Sequence, residues 1–136
     1  MLNIFSLINR LNRRYLSGLT VKLSPFGLTP ANWSLLDYLV QNGQVTSIQI
    51  ATYWDIEKPT VSANVKQLIK LGLIETIPGK DKREKQLILT EKGHLLMNEV
   101  SPIISKFQDD LLSNFQKEEK EFLQRGLSTL YEAMKE

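Results

Sequence analysis

The sequence predicts a mainly α-helical chain carrying one small β-hairpin. Two observations carry that reading. Apolar residues recur at steps of three and four through most of the 136 residues, the spacing of amphipathic helices. In one place only, two short β-prone runs, Leu73–Ile77 and Gln86–Leu89, flank a polar, turn-rich loop, which is the pattern of a hairpin.

Taken in order, residues 2 to about 20 place Phe5, Ile8, Leu11, Tyr15 and Leu19 on one helical stripe, and Ser24-Pro25-Phe26-Gly27 ends it. Thr29-Pro30 reads as an N-cap followed by proline at the first helical position. Trp33, Leu36, Leu39 and Val40 carry the second helix to Asn42-Gly43. Thr46 and Gln49 have the spacing of a capping box, with Ile50, Ala51 and Trp54 continuing a short third helix. After a turn at Asp55-Ile56-Glu57, a fourth helix starts near Pro59. Its apolar face is Val61, Val65, Leu68, Ile69 and Leu71, and Gly72 closes it. The hairpin follows. Thr90 then reads as the N-cap of a long helix with Leu96, Val100, Ile103, Ile104, Phe107, Leu111 and Phe115, kinked at Pro102. Lys117-Glu118-Glu119-Lys120 reads as a polar break, and Phe122, Leu123, Leu127, Leu130, Tyr131 and Met134 form the last amphipathic helix.

Composition narrows the function. Hydrophobic residues make up 42% and charged residues 24%, a balance that supports a packed core rather than disorder. Without any cysteine, disulfides, thiolate zinc sites and thiol redox sensing are excluded. A single histidine, His94, makes a His-rich metal site unavailable and reads as a surface or packing residue. No nucleophile with its base, no phosphate-cradling glycine loop and no ligand cluster is present, so neither an enzyme nor a cofactor is expected. No apolar run approaches the ~20 residues that cross a bilayer. The N-terminal MLNIFSLINRLNRRYL has its arginines after the apolar positions, the wrong order for a secretory signal. It reads as an amphipathic helix of a cytoplasmic protein. Formal net charge is only +2, yet Lys58 to Lys92 holds eight Lys or Arg against four acids. A locally basic middle is the footprint of a polyanion partner.

Helix-turn-helix followed by a β-hairpin is the winged-helix plan, in which the second helix enters the major groove of DNA. The reading helix is then about residues 58–71. Its outward side offers Lys58, Pro59, Thr60, Ser62, Ala63, Asn64 and Lys66 to bases and phosphates. The wing, residues 79–86, carries Lys80, Lys82, Arg83 and Lys85 to the minor groove, and Asp81 is spaced to position Arg83 or the wing backbone. Taken alone, Lys58, Lys66 and Lys70 are as well explained by a solvated helix face; the wing charges tip the reading to DNA. Trp33, Tyr38, Tyr53 and Trp54 read as core before they read as lining of a ligand pocket.

The stretch IEKPTVSANVKQLIKLGLIETIPGKDKREKQLILTEKG resembles the core of the MarR family of bacterial regulators. The matching pieces are Thr60-Val61-Ser62 at the start of the reading helix, Leu68 to Ile74 at its end, Asp81-Lys82-Arg83 in the wing, and Leu87 to Gly93 after it. Gly27-Leu28-Thr29-Pro30 with Trp33 is similar to the family's approach to its second helix. Two positions depart from the pattern: Ala63 stands where a basic residue is common, and Glu57 where a short capping residue is. The resemblance implies a homodimer with interlocked terminal helices, a palindromic operator in double-stranded DNA, transcriptional regulation as a repressor, and for many members relief by a small aromatic or anionic effector. On this reading residues 1–28 are an N-terminal dimerisation helix, 29–92 the winged helix-turn-helix DNA-binding region, and 93–136 the C-terminal dimerisation helices. The alternative is a winged helix used as a protein-interaction module without DNA.

Overall fold

The computed structural model describes residues 3–81 and 84–135. Its helices are α1 (Ile4–Leu23), α2 (Pro30–Asn42), α3 (Ser47–Trp54), α4 (Lys58–Lys70), α5 (Glu91–Leu111) and α6 (Lys117–Ala133); its strands are β1 (Val45–Thr46), β2 (Ile74–Pro78) and β3 (Lys85–Leu89). Contacts group the chain into two compact units, residues 1–101 and 102–136. Among the described residues no helix is long and apolar enough to cross a membrane.

Local sequence accounts for most helix ends. Asn3 caps α1 by accepting from the Phe5 N–H at 2.8 Å. Thr29 and Asn32 form a reciprocal capping box at the start of α2, with Pro30 at its first position. Thr46 and Gln49 do the same for α3. The turn from α3 to α4 puts Asp55 at φ 53°, the one non-glycine in the left-handed region among the described residues; aspartate tolerates that conformation better than most side chains. Gly72, at φ 75°, ends α4 in a Schellman motif: Leu73 N–H donates to Leu68 O at 3.0 Å and Gly72 N–H to Ile69 O at 2.9 Å. Leu68 and Leu73, brought together by that motif, are both buried.

The sheet departs from the expected two-stranded hairpin. It has three antiparallel strands in the order β1-β3-β2. β3 pairs with β2 from Ile74↔Leu89 to Pro78↔Lys85, and on its other edge with β1 at Val45↔Leu87 and Thr46↔Gln86. Two residues are too few to show alternation, and the capping signal of Thr46 hides the strand in the sequence. Val45, Ile74, Leu87 and Leu89 face the core with Leu35, Leu36, Leu39, Ile50, Val61, Val65 and Leu68.

Two more expectations shift. Lys117–Lys120 is not a break but the first turn of α6; the break is Leu112–Gln116. The Gln116 N–H donates to the Glu119 carboxylate at 2.9 Å, and acidic residues in a first turn suit the helix dipole. In α5 the buried positions are Gly93, Met97, Val100 and Ile104, whereas Leu96 is half-buried and Ile103 exposed.

Thr90 caps α5 as expected, its Oγ accepting from the Gly93 N–H at 3.0 Å, and it also donates to Gly72 O at 2.6 Å. Lys92 Nζ donates to Leu71 O at 2.8 Å. The start of α5 is thus clasped onto the end of α4. Gly93 fills that corner so closely that a Cβ would overlap the Leu73 carbonyl oxygen, which is backbone and cannot swing away. Gly93→Ala is therefore expected to lower stability by about 2 kcal/mol, read as a fall in urea midpoint at unchanged slope. A midpoint equal to the parent's would mean that the corner yields.

Candidate nucleic-acid interface

α4 buries one face and exposes the other. Val61, Val65 and Leu68 are inside; at about 100° per residue, the direction opposite them is held by Pro59, Ala63, Lys66 and Lys70, flanked by Thr60, Ser62 and Gln67. Lys58, Pro59, Thr60, Ser62, Ala63 and Lys66 are all exposed. Ala63 at the centre leaves a shallow place in this surface, so another backbone could approach closely. Ile69, expected on the apolar face, lies at its edge and is 42% exposed.

Lys70, weighed above with Lys58 and Lys66, is exposed one turn beyond Lys66.

Asn64 is placed differently from expectation. It is half-buried, and both ends of its amide are engaged: Oδ1 accepts from Asn32 Nδ2 at 2.7 Å, and Nδ2 donates to Ala31 O at 2.9 Å. Its position at the edge of the buried face sends the side chain toward α2 rather than outward.

The wing is β2, β3 and the loop between them. Gly79 N–H donates to Glu84 O at 2.8 Å and Glu84 N–H to Asp81 O at 2.9 Å, which ties Glu84 to Gly79 and Asp81. A Cβ on Gly79 would press on the Glu84 carbonyl. Lys80, Asp81 and Lys85 are exposed. Lys82 and Arg83 lie outside the described residues.

The surface is cationic where it is exposed. Lys58, Lys66, Lys70, Lys80 and Lys85 take no part in the ion pairs Lys106–Asp110 and Lys135–Glu132 and present exposed ammonium groups. Such groups gain counterion-release free energy on a phosphate backbone.

Other candidate chemistry is sparse. Among the described residues no group of His, Asp or Glu could hold a metal ion, and His94 is exposed. An open pocket of about 410 Å³ lies between α3 and the start of α4, lined by Ile48, Ala51, Thr52, Ile56, Glu57, Lys58 and Pro59. Of the aromatic residues expected in the core, Trp33 is buried, but Tyr53 and Trp54 are exposed. Their rings meet edge-on at 5.1 Å, and Tyr53 lies 4.8 Å from Tyr38.

A sequence model of the MarR family matches residues 26–84. An uncharacterized HTH-type transcriptional regulator of Bacillus subtilis (strain 168), YwoH, is 37% identical over 100 residues, covering 74% of this chain and 73% of that protein. A solved MarR family transcriptional regulator from Silicibacter pomeroyi is 28% identical at a TM-score of 0.85, over 93% of this chain and 86% of that one. The structure of the S. aureus MepR–DNA complex is 24% identical at a TM-score of 0.89, over 98% and 97% of the two chains.

The start of α4 is under-capped. Glu57 is its N-cap by backbone geometry, yet its side chain makes no capping bond. Serine in that place accepts from the first-turn N–H groups. Glu57→Ser is expected to add about 1 kcal/mol and to raise the thermal midpoint by about 3 °C; an unchanged midpoint would show that this end of α4 does not limit stability.

Proposed function

The chain belongs to the MarR family of transcriptional regulators, and from that premise we propose that it is a homodimeric repressor that reads a palindromic operator in duplex DNA. α4 lies in the major groove, with Thr60, Ser62, Ala63 and Lys66 against base edges and Lys58 and Lys70 against phosphates. The wing reaches the minor groove through Lys80, Lys82, Arg83 and Lys85, with Asp81 positioning its tip. Residues 29–92 are the DNA-binding region; residues 1–28 and 93–136 supply dimerisation.

The observation that carries the reading is the exposed face of α4, where Ala63 leaves a shallow place beside Lys66 and Lys70, with Thr60, Ser62 and Gln67 at its flanks and its lysines without acid partners among the described residues. A helix of this kind fits a major groove and can approach base edges without bulk. The wing assignment draws on the Asp81-Lys82-Arg83 motif.

Dimerisation is supported by what a single chain leaves uncovered. No residue of α6 is buried, although Leu123, Leu127, Leu130 and Met134 form one apolar stripe along it. α1 likewise exposes Ile4, Phe5, Leu7 and Leu11. Two-fold pairing is the commonest way to bury such faces, and it places two reading helices to match two half-sites.

The deciding experiment is a footprint and gel-shift series on the DNA upstream of the chain's own gene, with and without aromatic acids. Protection of a palindrome is the expected result. Failure to retard any duplex at low salt would overturn the reading and leave the protein-interaction module standing. Within the series, Lys66→Ala and Arg83→Ala should each lower the slope of log affinity against log salt by about 1, Arg83→Ala with the larger loss of operator affinity; unchanged affinity and slope in Arg83→Ala would remove the wing from the interface.

Assembly has its own test. The parent should sediment at about twice its 15.6 kDa chain mass, and Leu127→Glu with Leu130→Glu should sediment as a monomer that no longer protects both half-sites. A double variant that remains dimeric would exclude α6 from the interface.

A further inference from the structure

Among the described residues one polar side chain is buried in the core, Asn32, which is 1% exposed. Both ends of its amide are engaged. Oδ1 accepts from the Thr29 N–H at 3.0 Å, closing the cap of α2. Nδ2 donates to Asn64 Oδ1 at 2.7 Å and to Gln67 Oε1 at 3.4 Å, both on α4. Asn64 returns the bond by donating to Ala31 O at 2.9 Å. The first turn of α2 and the middle of α4 are therefore joined by a closed set of directional bonds, beside the apolar contact of Val61, Val65 and Leu68.

We infer that Asn32 is a specificity-determining positioning residue: it fixes the rotation of α4 about its own axis and so decides which outward side chains of α4 meet the bases. The inference rests on the DNA-reading function proposed above. Apolar packing is non-directional, and helices packed by ridges and grooves scatter by about 15–20°. A turn of about 20° moves a side-chain tip, about 6 Å from the helix axis, by about 2 Å. That exceeds the latitude of a base-edge hydrogen bond, whose donor and acceptor must lie within roughly 2.7–3.2 Å. An apolar residue at position 32 could still be buried, but it would leave Asn64 Oδ1 and the Thr29 N–H without these bonds and could not refuse the wrong rotation. Asn32 is too deeply buried to touch DNA, so an effect on base discrimination must pass through α4.

The test compares affinity for the footprinted operator with affinity for a scrambled duplex in the parent, Asn32→Ala, Asn64→Ala and the double variant, with the folded fraction of each measured by circular dichroism. Asn32→Ala is expected to lower the operator-to-scrambled ratio roughly tenfold, the size of one misread base pair, while scrambled-duplex affinity and its salt slope stay at parental values. The double variant should lose no more than the worse single variant, because both changes break one linkage. A role confined to stability would lower both affinities together with the folded fraction and leave the ratio unchanged; that result, or losses that simply add, overturns the inference. If Asn32→Ala does not fold, Asn32→Ser carries the same expectation and the same overturning result. A parent that prefers no sequence at all would instead overturn the DNA-reading function itself.

Discussion

Where α4 ends, three parts of the molecule are held by one joint. The last carbonyls of any α-helix lack partners within the helix; here the Schellman turn satisfies those of α4, and residues far along the chain bond to the carbonyls of that turn itself. Thr90 Oγ donates to Gly72 O and Lys92 Nζ to Leu71 O, while the Thr90 N–H donates to Leu73 O at 3.0 Å. Thr90 follows β3 directly, and Gly72 and Leu73 precede β2, so the same bonds that hold the turn after α4 also bring the two strands to the register Ile74↔Leu89. Helix, wing and α5 cannot be reoriented separately without opening this corner. Gly93 is the steric condition for it, since any larger residue would meet the Leu73 carbonyl.

Features decided within a few residues were legible in the sequence. The Thr46–Gln49 box, Thr29 with Pro30, the glycine that ends α4 and the Thr90 cap all act over three or four positions, and a linear pattern contains them. The exposed set on α4 was legible for the same reason, because a helical period separates Val61, Val65 and Leu68 from Lys58, Ser62 and Lys66. What was hidden depends on partners distant in sequence. β1 is two residues long and exists because β3 offers a free edge. Asn64 lies at the border of the buried face, where the period alone does not say whether an amide turns out to solvent or in to Asn32. Tyr53 and Trp54 looked like core by residue type, yet α3 is short and buries only Ile50 and Ala51.

The reading helix combines a firm end with a weak start. Its C-terminus is closed by a Schellman motif whose turn is held by Thr90 and Lys92, and its middle by the Asn32 amide. Its N-terminus has proline in the first turn and no side-chain cap. Such a helix keeps its direction and rotation while leaving its first turn the part least tied to the protein. Lys58, Pro59 and Thr60 sit in that turn, where a phosphate oxygen would complete the unpaired start and meet the positive end of the helix dipole. An N-terminus short of side-chain partners is thus a modest cost to the free protein, one that a bound phosphate would offset.

The terminal helices bring concentration into the same balance. α6 has an apolar stripe but buries no residue within one chain, and an isolated helix of about this length is marginal in water unless its apolar face is covered. If the proposed partner copy covers it, folding of α6 and association are one equilibrium, and the apparent stability of the chain rises with its own concentration. A dimer offers two α4 helices to DNA with fixed separation, whereas a monomer offers one, and the second contact on a paired site is then intramolecular. Occupancy of a palindrome would therefore fall more steeply than that of a single half-site as the protein is diluted. The apolar surface that a single chain leaves open would thereby set the threshold at which the DNA is read.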